Sequence, residues 1–160
     1  MIFKDLKQKI KTFIKDELIS LEPWIVNSEW SEKLPKLNEL RDKVKDMGFW
    51  LPQVSKEYGG LGLTLEQHGE VSEMLGASPY GFYVFNCQAP DAGNMEVLIE
   101  TGTDEQKQKY LYPLLEGKIR SCFAMTEPNY AGSNPTRMGT TAKKENGNYI
   151  INGHKWFTSS

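Results

Sequence analysis

Residues 103–125 read Thr-Asp-Glu-Gln-Lys-Gln-Lys-Tyr-Leu-Tyr-Pro-Leu-Leu-Glu-Gly-Lys-Ile-Arg-Ser-Cys-Phe-Ala-Met, and a change of character inside this stretch decides the fold. Thr103-Asp104-Glu105-Gln106 has the form of a capping box, in which the Thr hydroxyl takes a backbone N–H and the Gln reaches back. Tyr110, Leu111, Leu114 and Leu115 then recur at helical spacing, and Gly117 ends the helix. Beyond residue 120 the pattern is different. Cys122-Phe123-Ala124-Met125 is a short apolar run of strand type. Asn146-Gly147 and Asn152-Gly153 each lie between short segments of β type, and Asn-Gly suits the positive φ angles of a tight hairpin turn. Residues 138–159 therefore read as a three-stranded meander.

Upstream of the switch the chain reads as helices. Phe3, Leu6, Ile10, Phe13 or Ile14, Ile19 and Leu21 recur at helical spacing. Pro23 and the polar stretch around Ser28 and Ser31 make a break. Leu34, Leu37, Leu40, Val44 and Met47 mark a second helix, with Pro35 near its first turn and Gly48 past its end. Residues 49–63 read as a loop. Thr64-Leu65-Glu66-Gln67 is another capping box, opening a helix that runs to Gly76. Pro79 and Pro90 bracket a short apolar helical segment, and a further helix runs to Gly102. The fold class is thus α+β, with an all-helical domain over 1–118 and a β domain beginning over 119–160. Ser160 falls inside a strand by this reading. A sheet of three or four strands with open edges is a poor independent unit, so the chain is expected to be part of a longer polypeptide.

Composition narrows the function classes. Of the 160 residues, 39% are hydrophobic and 25% charged, as in an ordinary globular protein rather than a disordered one. The net charge of −2 gives nucleic-acid binding no electrostatic support. No apolar run reaches the roughly 18 residues of a transmembrane helix, so membrane insertion is not expected. Cys87 and Cys122 lie far apart and outside any CxxC or Cys/His cluster, which argues for two reduced thiols in a cytoplasmic protein and against a metal site. Lysines 4, 7, 9, 11 and 15 outnumber Asp5 at the N-terminus. A transit peptide would be rich in Arg and Ser, and the first Arg is Arg41, so this segment reads as a surface helix with a solvated lysine face.

Familiar catalytic signals are missing. Gly60-x-Gly62 would need glycine at position 65, which is Leu, to make a dinucleotide fingerprint. His68 and His154 are isolated and read as structural. No GxSxG or Cys/His nucleophile arrangement is present. Two segments stand out instead. In residues 122–134, hydroxyls and backbone N–H groups follow the end of an apolar run, an arrangement able to hold a carbonyl-rich ring or a phosphate. In residues 152–160, Trp156 offers a face to a flat aromatic cofactor and Thr158 a hydroxyl at its edge.

These segments carry a resemblance. Thr126-Glu127-Pro128 followed by Ala131-Gly132-Ser133-Asn134 resembles the Thr-Glu-Pro-x-Ala-Gly-Ser-Asp signature of the acyl-CoA dehydrogenase family. The order continues with Thr141-Ala142 and Gly147-x-Tyr149-x-x-Asn152-Gly153-x-Lys155-Trp156-x-Thr158. Upstream, Pro52 with Glu57-Tyr58-Gly59-Gly60 matches, as do Gly102 to Lys107 and Leu111-x-Pro113-x-Leu115-x-x-Gly117. The chain departs from the commonest pattern by one extra residue between Pro128 and Gly132 and by Asn134 at the Asp position. With residues 86–95, these departures resemble the branch whose eukaryotic members join this module to a kinase-like domain.

The resemblance implies a helical domain followed by the first strands of an antiparallel β-barrel middle domain. It implies FAD as cofactor and an acyl-CoA as substrate, in an oxidoreductase of fatty acid metabolism. Phe123, Ala124, Met125 and Thr126 would lie beside the isoalloxazine ring. Gly132 and Ser133 would lie where the loop meets flavin phosphate and acyl-CoA, with Ser133 also toward substrate. Trp156 would pack on the ring with Phe157 beside it, and Thr158 would hydrogen-bond at flavin N5. Glu127 is not the catalytic base: in the family it is a structural part of the loop, and the base comes from a C-terminal helical domain. No residue of this chain is therefore assigned as catalytic. The implied partners are an electron-transfer flavoprotein and further copies of the same chain. The implied location is the cytoplasm, or a mitochondrion or peroxisome in a eukaryote. The competing readings are an acyl-CoA oxidase or flavin monooxygenase of the same fold, and a non-catalytic interaction protein that keeps the fold.

Overall fold

The computed structural model describes residues 2–159; Ser160, expected to fall inside a strand, lies outside the described residues. The chain divides into two compact units, one up to Ile119 and one from Arg120. The first is helical. It contains α1 (Phe3–Phe13), α2 (Glu22–Asn27), α3 (Trp30–Asp46), α4 (Leu65–Leu75), α5 (Gly81–Val84), α6 (Asp91–Thr101), α7 (Asp104–Gln106) and α8 (Tyr112–Leu115). The second holds β1 (Thr141–Glu145) and β2 (Asn148–Asn152), an antiparallel pair in which Thr141 faces Asn152 and Glu145 faces Asn148. The architecture is α+β, and the sheet is an open hairpin.

Local chemistry sets the helix starts. The Thr64 hydroxyl accepts from Gln67 N at 3.2 Å, while Thr64 N donates to Gln67 Oε1 at 3.1 Å. Thr103 and Gln106 repeat the exchange at 3.2 and 2.9 Å. Each box satisfies N–H groups that a helix N-terminus leaves without partners. The second expected helix begins earlier than Pro35 suggests. It starts at Trp30, where Glu29 N donates to the Glu32 carboxylate at 3.2 Å, and Pro35 sits inside it.

The first helix differs in a way that changes the core. A π-helical turn over Ile14–Leu18 follows α1. Its wider turn absorbs one residue, so Phe13, Ile14 and Leu18 are all buried, while Ile19, the expected core position, is 38% exposed. Leu6, Ile10, Leu37, Leu40, Val44, Val71, Leu75 and Phe85 complete the main cluster. A second cluster joins Leu51, Val54, Met95, Leu111, Leu114 and Leu115, and Trp50 packs against both. Each large apolar side chain buried this fully contributes on the order of 1.5–3 kcal/mol. Cys87 sits in the main cluster, where burial pushes its thiol up to about 12 and leaves it unreactive.

The β reading is correct in part. Asn146 (φ 49) and Gly147 (φ 82) form the tight turn between β1 and β2. Asn152-Gly153 is not a turn of this kind, because neither residue has positive φ. Asn152 ends β2, and Gly153 is glycine for space: a Cβ there would overlap the Thr140 side chain. The meander over 138–159 therefore has two strands rather than three. Residues 122–125 form no strand either, nor do His154 and residues 156–158. A strand exists only through a ladder, and these segments meet by isolated hydrogen bonds instead.

Candidate functional site

The two segments singled out in the sequence are cross-linked within the second unit. Trp156 N donates to Thr126 O at 3.1 Å, and the Thr126 hydroxyl donates to Trp156 O at 2.7 Å. Beside this pair runs an ion pair. Lys155 Nζ donates to Glu127 Oε1 at 2.9 Å and to Met125 O at 2.8 Å.

Glu127 is the most enclosed polar group of this unit, at 4% exposure. Its other partners come from the start of β1. Gly139 N donates to Oε2 at 2.6 Å, and Thr140 N to Oε1 at 2.9 Å. These surroundings hold the carboxyl at about 2, first through the side chain of Thr140 and then through Lys155. The Thr140 hydroxyl lies outside strict hydrogen-bond geometry, so its influence is that of a dipole beside the charge. A carboxylate so engaged is a poor proton acceptor at neutral pH.

The intervening loop is folded by its own turns. Tyr130 N donates to Glu127 O at 3.3 Å and Asn134 N to Ala131 O at 3.0 Å. The Asn134 side chain accepts from Thr136 N at 3.1 Å and from the Thr136 hydroxyl at 2.6 Å, a role a carboxylate at this position would share. Gly132 lies against Thr126, whose methyl would be 2.9 Å from a Cβ there.

The structure thus brings Met125, Thr126, Gly132 and Trp156 together. Ala124, Ser133 and Thr158 are exposed, and nothing in the geometry joins them to this cluster. The three aromatic side chains among the expected site residues face outward. Phe123 is 61% exposed, Trp156 43% and Phe157 82%. The Trp156 and Phe157 rings lie 4.9 Å apart, and Phe157 has φ 50, an uncommon conformation for a bulky residue. Exposed rings of this kind offer apolar faces that a folded chain ordinarily covers with a ligand or a partner. Sequence reading gave Lys155 no role. The available signal was a lysine placed directly before an aromatic pair.

Among the described residues there is no group of three or more potential metal ligands, and no helix long and apolar enough to cross a membrane.

Comparison with known proteins adds two family matches. Residues 3–118 match the acyl-CoA dehydrogenase N-terminal domain and residues 122–160 the acyl-CoA dehydrogenase middle domain. The chain is 43% identical over 167 aligned residues to acyl-CoA dehydrogenase family member 10 of Mus musculus, covering 98% of this chain and 15% of that protein. A solved structure assigned to an acyl-CoA dehydrogenase of Mycobacterium abscessus superposes with a TM-score of 0.88 at 37% identity, covering 98% of this chain and 42% of that one. A glutaryl-CoA dehydrogenase from Mycobacterium smegmatis, solved in complex with FADH2, gives a TM-score of 0.66 at 25% identity, covering 94% of this chain and 37% of that one. The chain therefore spans less than half the length of each of these relatives.

Proposed function

The chain belongs to the acyl-CoA dehydrogenase family, and from that premise we propose that it forms the N-terminal part of an enzyme that removes two hydrogens from Cα and Cβ of an acyl-CoA thioester. The observation that carries the reading is the outward-facing Trp156–Phe157 ring pair, hydrogen-bonded through Trp156 to the Thr126 segment. FAD, when bound, supplies the hydride acceptor for the substrate β-hydrogen.

The chain's own residues bind and orient. Phe123, Trp156 and Phe157 offer apolar faces to the ring system. Met125 and Thr126, with Ala124 on the same segment, are assigned beside the ring. The Thr158 hydroxyl is a donor for the flavin edge at N5. Gly132 and Ser133 lie on a loop whose backbone N–H groups and hydroxyls suit phosphate and thioester oxygens, and Ser133 also faces substrate. Glu127 takes no proton from substrate, since its carboxylate is committed to Lys155, Gly139 and Thr140. In this proposal the base belongs to a part of the enzyme outside this sequence. The electrons pass on to an electron-transfer flavoprotein, and the working enzyme is a homo-oligomer in the cytoplasm, or in a mitochondrion or peroxisome of a eukaryotic host. The residues 1–118 and 119–160 act as its helical domain and the start of its β domain.

The test is to add FAD and then acyl-CoAs of graded chain length to the purified protein, alone and within the longest polypeptide that contains it. Flavin uptake and bleaching of its absorbance by an acyl-CoA in the longer form are expected. Absence of flavin uptake in both forms would sink the reading. Stoichiometric dioxygen consumption would instead identify an oxidase of the same fold.

A further inference from the structure

Lys155 and Glu127 sit directly beside the two residues whose backbones link the segments, Trp156 and Thr126. The ion pair therefore runs parallel to that link and ties together positions 28 residues apart. The Lys155 ammonium has three neighbours, Met125 O at 2.8 Å, Glu127 Oε1 at 2.9 Å and Met138 Sδ at 3.5 Å. An ammonium carries three N–H donors, so this one is saturated and serves as a strut rather than a reactive amine. Glu127 in turn is anchored to the entry of β1 through Gly139 N and Thr140 N. The side chains are 23% and 5% exposed, so this is not the solvent-spread surface pair that contributes almost nothing.

We propose that Lys155 and Glu127 are a positioning pair that clamps the Phe123–Thr126 segment against the Trp156–Thr158 segment and fixes both to the hairpin. Neither residue touches reacting atoms. The purpose of the clamp rests on the flavin reading, because these are the segments assigned to the ring; the clamp itself does not.

The Trp156 amide is the reporter, since its acceptor is Thr126 O and neither member of the pair. Hydrogen exchange is measured at this amide in the full chain for Lys155→Met, Glu127→Gln and the conservative Lys155→Arg, with FAD affinity read by quenching of flavin fluorescence. Loss of one charge-assisted link is expected to speed Trp156 exchange by about tenfold or more in Lys155→Met and Glu127→Gln. Amides of the β1–β2 ladder should keep their protection, and Lys155→Arg should stay near wild type. FAD affinity should fall in step with exchange. Unchanged Trp156 exchange in both variants would overturn the clamp, and so would loss of ladder protection in both, which would make the pair a general fold element. Faster exchange with no FAD uptake by any form leaves the clamp standing and removes the flavin reading. Faster exchange with undiminished FAD affinity overturns the clamp's role in positioning flavin.

Discussion

The Arg41 guanidinium donates to Gly117 O at 3.3 Å, so the last helical turn of the first unit is held by a buried cation reaching across from α3. Arg41 is 3% exposed and lies 4.8 Å from the Trp50 ring and 4.5 Å from the Tyr83 ring. It also donates to Tyr83 O at 2.6 Å. A guanidinium tolerates burial because its flat faces stack while its edge donates.

Gly117 has φ +71, and a Cβ there would overlap Arg41 and come to 2.9 Å from the Trp50 ring. Gly117→Ala should therefore destabilise the chain by about 1–3 kcal/mol, combining a left-handed backbone with overpacking. Gly69 is the control. It lies inside α4, and a methyl group at that position would meet nothing within 4 Å, so Gly69→Ala should stabilise by roughly 0.5–1 kcal/mol. Urea unfolding midpoints check both, and equal midpoints would show that the Arg41 contact yields without cost.

Thr64→Ala should cost about 0.5–2 kcal/mol, the usual worth of an N-cap side chain. Thr64→Ser keeps the hydroxyl and should stay near wild type. Thermal unfolding of the three proteins side by side decides it: if Ser and Ala destabilise equally, the Gln67 N–H to Thr64 hydroxyl bond is not what holds the start of α4.

The helical unit was largely legible because its signals are local. Capping boxes, apolar spacing and a closing glycine each act within one or two turns, and α4, α6 and the Thr103 start stand where those signals put them. What was not legible depends on contacts distant in sequence. The π-helical turn that buries Leu18 instead of Ile19 is settled by packing, not by spacing alone. Nothing near Arg41 announces that Trp50 and Tyr83 will enclose it. In the second unit, Asn152-Gly153 looks the same as Asn146-Gly147 in sequence, yet one glycine serves a turn and the other a close approach to Thr140. The site segments were visible as composition and order. Their joining through Lys155 and Glu127 was not, because an ion pair between positions 127 and 155 leaves no periodic trace.

The depressed Glu127 carboxyl has a consequence for acid stability. Its value in the folded chain is about 2, below the ordinary 4.5 of an unfolded chain. The charged form is thus favoured by folding, so its stabilisation is complete above pH 4.5 and is lost as pH falls from about 4.5 to about 2. Glu127→Gln should flatten this part of the stability profile of the second unit while leaving its neutral-pH hairpin intact. The carboxyl carbon shift of Glu127, followed by NMR against pH, gives the direct reading; a midpoint near 4.5 would contradict the engaged carboxylate.

Ring contact and edge contact with a flavin are separable by substitution. Trp156 and Phe157 are neighbouring exposed rings 4.9 Å apart, so removal of either should cost binding more than chemistry. In a flavin-loaded form of the longer polypeptide, Trp156→Ala should weaken FAD binding by about 1–3 kcal/mol, roughly 5- to 150-fold in Kd. Phe157→Ala should act in the same direction. Thr158→Val removes a hydroxyl but little volume, so affinity should stay close to wild type while reduction of the flavin by acyl-CoA slows. Equilibrium dialysis and stopped-flow bleaching measure the two effects independently. A Thr158→Val protein that loses flavin but reduces normally would reverse the assignment, placing Thr158 under the ring and the aromatic pair away from it. Unchanged affinity in both alanine variants would mean that these rings face another partner altogether, since exposed aromatic pairs are also what a protein interface buries.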